Sequence, residues 1–112
     1  MHIKLFRYFH KMFTQDPGKE MLQILQAVIF LLSRPDNDFT WSSWGNQQNA
    51  IEYVSAIIDE LRSGHISDFT KLAVLFAPTG PIQEVSINSG WIEEFMQLAD
   101  KFDRIKYTLQ YS

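Results

Sequence analysis

The 112-residue chain contains no cysteine. Without thiols there is no disulfide, thiolate metal site, iron–sulfur cluster or cysteine nucleophile, and the composition fits a reducing compartment, so a cytoplasmic location is expected. Histidine is scarce, at three residues. His2 and His10 fall in the first fifteen positions and His65 follows a helix end. No HExxH pair or other helix-spaced zinc ligands exist, and neither a metal nor another cofactor is expected. There is also no long apolar run. The longest, "MLQILQAVIFLL" at 21–32, is interrupted by Gln23 and Gln26 and falls short of the roughly 18 to 20 residues a membrane crossing needs. The charged start "MHIKLFRYFHKMF" leads into no clean apolar segment, so no signal peptide is expected. Recognised catalytic motifs are missing too. "APTGP" lacks the Gly-Lys-Ser/Thr of a phosphate loop, "PDND" lacks the spaced ligands of a calcium loop, and no serine sits in a G-x-S-x-G elbow. No catalytic residue is assigned, and an enzyme is not favoured.

What is present is the composition of an ordinary folded domain, 46 % apolar and 21 % charged, so a single domain over 1–112 is expected. The net charge of −3 conceals an asymmetry. Residues 1–15 carry Lys4, Arg7 and Lys11 and no acid, leaving the other 97 residues at −6. An acidic body is a poor match for phosphate, so nucleic acid is not expected as a partner. The basic segment places Leu5, Phe6, Phe9, Met12 and Phe13 at helical spacing, which predicts an amphipathic helix packed on the core. Attachment to an anionic membrane surface is the alternative reading of the same pattern.

Farther along, Asp16 and Pro17 are a helix-start pair, and a central helix is predicted from there to the Arg34-Pro35 break, buried on nearly every side. The i, i+3, i+4 rhythm of Ala50, Ile51, Val54, Ile57, Ile58 and Leu61 predicts an amphipathic helix over 47–62, ended at Gly64. "KLAVLFA" and "PIQEVSI" are short, apolar and separated by Pro78-Thr79-Gly80-Pro81, the pattern of a β-hairpin over 71–88. A last helix with Ile92, Phe95, Ala99 and Phe102 on its buried face is predicted to start at Asn88 or Ser89. "RIKYTLQYS" then reads as a third strand or a frayed tail. The expected fold is therefore α+β: three to four helices on one face of a small antiparallel sheet built around that hairpin.

"PDNDFTWSSW" is a loop by composition and holds the candidate binding residues. Asp36 and Asp38 would attract a basic protein, and Trp41 and Trp44 would anchor it, unless the tryptophans instead close over the core. A small-ligand or enzyme pocket between the hairpin and the Trp91 helix is the alternative, with Thr79, Glu84 and Trp91 against the ligand. "LFAPTGPIQEVSINSGW" after a loop containing "WSSW" is similar to a family of small bacterial single-domain proteins without assigned function, over residues 38–103. Many such families serve as immunity proteins beside secreted toxins. The resemblance implies an intracellular inhibitor that occludes a basic partner, in keeping with the acidic body.

Overall fold

A computed structural model describes residues 16–64 and 68–111. They form five helices: α1 (Pro17–Leu32), α2 (Gln47–Arg62), α3 (Phe69–Leu75), α4 (Pro81–Ser89) and α5 (Ile92–Gln110). The basic segment of residues 1–15 and His65 lie outside the described residues.

The first two helices stand where their caps place them. Asp16 Oδ1 accepts the Gly18 N–H at 2.9 Å and the Lys19 N–H at 3.4 Å, two of the donors a helix start leaves unpaired, and Pro17 occupies the first turn. Asn46 does the same for α2, accepting the Asn49 N–H at 2.8 Å. Met21, Ile24, Leu25, Val28 and Leu32 make the buried stripe of α1. The stripe is one-sided, contrary to the expectation of burial all round, because Phe30 is 72 % exposed. Helix α1 packs against both α2 and α5. Its C-terminal end meets the N-terminal end of α5, so these two helices run in opposite directions.

No strand exists among the described residues, and the α+β expectation is overturned. The segment read as a hairpin over 71–88 is instead α3, a turn and α4. Asp68 caps α3 by accepting the Thr70 N–H at 2.9 Å, and Leu72, Leu75 and Phe76 fall on one buried helical face. Pro81 begins α4 at the position where its missing N–H is not needed. The decisive pair is Val85 and Ile87. A strand would put them on the same face, whereas Val85 is fully buried and Ile87 is 55 % exposed, as helical rotation requires. Residues 104–110 of the stretch read as a third strand or frayed tail are the last part of α5, whose buried residues Phe95, Leu98, Phe102 and Ile105 continue one stripe.

The helices are joined tightly. Gly90, at φ 84°, ends α4 in the left-handed conformation, and the Trp91 N–H reaches back to the Ser86 carbonyl at 2.9 Å. One residue later α5 begins, with no side-chain cap at the Asn88 or Ser89 expected for it. Phe76 lies nearly parallel to Phe95 (centroids 6.4 Å apart) and to Phe102 (4.8 Å), so an aromatic stack ties α3 to α5. Lys71 pairs with Glu60 at 3.3 Å and ties α3 to α2. Gly80 is buried in the turn between α3 and α4, where an added Cβ would run into the Val74 carbonyl oxygen, a backbone atom with nowhere to retreat. Gly80→Ala is expected to cost about 1–3 kcal/mol, read as a lower urea midpoint at unchanged slope.

Candidate interaction loop

Residues 33–46 connect α1 to α2, and alternate residues of the stretch 36–40 face opposite ways. Asn37 and Phe39 point in; Asp36, Asp38 and Thr40 point out. Asn37 is the inward hinge. Its Nδ2 donates to the Leu31 carbonyl at 2.8 Å, and its Oδ1 accepts the Trp91 indole N–H at 2.8 Å. Trp91 is fully buried, removing on the order of 200 Å² of aromatic surface from water, roughly 5 kcal/mol of transfer free energy. An unpaired indole N–H there would cost about 1–3 kcal/mol, so the Asn37 acceptor decides how much of that burial is kept. Phe39 is 8 % exposed and closes the core beside it.

More bonds fix the loop's frame. The Asp38 N–H donates to Ser89 Oγ at 2.9 Å, Gln47 Nε2 donates to the Leu32 and Arg34 carbonyls, and Arg34 approaches Glu94 of α5 at 3.8 Å. Beyond Phe39 the chain folds into successive turns, with the Ser42 N–H on the Phe39 carbonyl and the Gly45 N–H on the Ser42 carbonyl. Asn49 Nδ2 donates to the Trp44 carbonyl at 2.9 Å.

This frame sends the three tryptophans to different depths. Trp91 is at the centre, Trp44 is half-buried and packs against the core and the Tyr53 ring at 6.0 Å, and Trp41 is 76 % exposed. Asp36 and Asp38 are exposed on the same loop. The Thr40 hydroxyl and then the Thr40 N–H, at 2.9 Å from Oδ1, hold the Asp38 carboxyl below the usual carboxylate range. Asp38 thus keeps its negative charge to lower pH than a free aspartate.

The residues proposed for a ligand pocket do not converge. Trp91 is sealed in the core, Thr79 is exposed on the turn before α4, and Glu84 is half-buried on α4. None of the three lines the groove that does open between α3 and α5. Of the residues that shape the loop, Asn37 was not singled out by sequence reading, and Ser89 was read as a candidate cap of the last helix rather than as the acceptor of the Asp38 N–H. The signal for Asn37 was its place between two aspartates, as the one side chain of "PDND" able to donate and accept together.

Among the described residues, no group of three or more histidine, aspartate or glutamate side chains is placed to hold a metal. No helix among them is long and apolar enough to cross a membrane. Comparison of the chain with known protein families, curated proteins and solved structures finds no match.

Two outcomes test the loop's construction. Asn37→Ala is expected to lower stability by about 1–3 kcal/mol, and Asn37→Asp by less, since a carboxylate still accepts from the indole; equal losses would remove the Trp91 bond from the account. Asp38 has a lowered folded-state pKa, so its contribution to stability is complete above the ordinary aspartate range and is lost as pH falls through the lowered value. A carbon-detected NMR titration should place Asp38 below a peptide aspartate, and Thr40→Val should move it up.

Proposed function

We propose that the chain is a small cytoplasmic protein-binding module that occludes a basic partner in the manner of an immunity or antitoxin protein. The observation that carries the reading is Trp41, 76 % exposed at the head of a loop pinned to the core on both sides. A large aromatic held out into water gains nothing for the fold, while tryptophan is among the residues that dominate binding energy at interfaces. Because the loop's backbone is already fixed by hydrogen bonds, little ordering entropy remains to be lost when a partner closes on it.

Asp36 and Asp38 set the chemistry of the partner. Two exposed carboxylates beside the anchor, on a body of charge −6, repel phosphate backbones and steer lysine- and arginine-rich surfaces toward Trp41. Asp38 adds direction, since its carboxylate is oriented by Thr40. Trp44 has a different part: half-buried against the core and Tyr53, it backs the loop. Inhibition would follow from coverage of the partner's basic functional surface and needs no chemistry from this chain.

The test compares the immobilised wild-type chain with Trp41→Ala and with the Asp36→Lys, Asp38→Lys double variant in capture from the native host's lysate. A basic protein retained at low salt by the wild type alone is expected. For that protein, Trp41→Ala should weaken binding about 30-fold or more, and the double reversal should slow association about tenfold at low salt and flatten its salt dependence. Equal retention by all three chains would remove this surface from the function.

A further inference from the structure

A groove of about 300 Å³ opens between α1 and α2. Its floor is aliphatic, Ile29 and Ile58, and its rim is polar, with Gln26 on α1 facing Ser55, Asp59 and Arg62 on α2. Phe30 adds a large apolar side chain beside it. It follows Ile29 directly, lies one helical turn beyond Gln26, and is 72 % exposed. The composition of α1 shows why this face is unusual. "MLQILQAVIFLL" is apolar on nearly every side, the pattern of a helix enclosed all round, yet within one chain α2 and α5 enclose only its inner stripe. Leu22, Ala27 and Ile29 stay half-buried, and Phe30 stands in water.

The charges on the rim say what kind of surface could cover it. Asp59 and Arg62 carry opposite signs three positions apart on α2, and among the described residues neither side chain makes an ion pair, with the other or elsewhere. A purely basic partner would set its charge against Arg62, and a purely acidic one would do the same to Asp59. The fitting surface presents one charge of each sign in reverse order. A second copy related by a two-fold axis does this by construction, since residue 59 of one copy then meets residue 62 of the other, and the reverse. Neutrality of the rim favours the same partner. Two chains of net charge −3 repel each other, and they approach at least cost where the facing surfaces carry no excess of either sign.

We propose that the α1–α2 face is a self-association surface through which the chain pairs with a second copy of itself. Ile29 and Phe30 of each copy bury against the other, and Asp59 and Arg62 form two reciprocal ion pairs across the axis. The pairing supplies the outer cover that α1 lacks in the single chain. It rests on residues other than those of the Trp41 loop, so failure of one reading leaves the other standing.

Sedimentation velocity of the full-length chain in low salt, over concentrations from about 1 μM to about 1 mM, reads the pairing as a reversible monomer–dimer equilibrium within that range. Phe30→Ala should weaken the dimer about tenfold. Its urea midpoint should stay where it is, because a ring this exposed gives the single chain little stability. Asp59→Lys and Arg62→Glu, each alone, set like charges opposite each other at both ends of the contact and should each weaken pairing about tenfold. Mixed in equal amounts, the two charge variants should form a heterodimer about as strong as the wild-type dimer, since every reversed residue then faces an opposite charge. A wild-type chain that stays monomeric throughout, a dimer indifferent to Phe30→Ala, or a mixture no more dimeric than its two components overturns the proposal.

Discussion

Trp91 is fully enclosed, and the indole N–H inside that enclosure has a single partner, the Asn37 side chain. Much of the molecule's arrangement hangs on this bond. It joins the start of α5 to the loop after α1, 54 residues earlier in sequence. Asn37 completes it by donating to the last turn of α1. The end of α1, the loop after it and the distant start of α5 thereby meet at one amide, and neither a hydrophobic nor a charged residue could replace it. The first would leave the indole and the Leu31 carbonyl unpaired, and the second would lack the donor.

The same junction explains why α4 and α5 follow each other so closely. Gly90 reverses the chain in a conformation that side chains rarely adopt, and the Trp91 N–H is consumed in closing α4. Trp91 is therefore delivered to the core by backbone geometry before its side chain packs. The Ser89 hydroxyl, one residue before the reversal, receives the Asp38 N–H, so the helix end and the loop hold each other.

The helices with strong termini were legible in the sequence. Asp16-Pro17 and the periodic run after Asn46 fixed α1 and α2 because capping and amphipathic spacing are local signals. The middle of the chain was misread for an equally physical reason. "LAVLFA" and "PIQEVSI" are too short for period to separate strand from helix, and their valine, isoleucine and phenylalanine content favours strands. The signals that pointed the other way were Asp68 as a cap and Pro81 as a first-turn residue, which make Pro-Thr-Gly-Pro a link between helices. In the candidate loop the sequence identified the exposed carboxylates and aromatics as candidates. It could not rank Trp41, Trp44 and Trp91 by depth, since depth is decided by long-range bonds such as Asn37 to Trp91.

The alternation along residues 36 to 40 separates two duties within one short segment. Positions 37 and 39 face the core and hold the fold, while positions 36, 38 and 40, and Trp41 after them, face water, and the Asp38 tie to Ser89 uses its backbone. Side chains on the outer register can therefore drift with little penalty to folding. A lineage could exchange one binding specificity for another at those sites while the scaffold beneath them stayed the same.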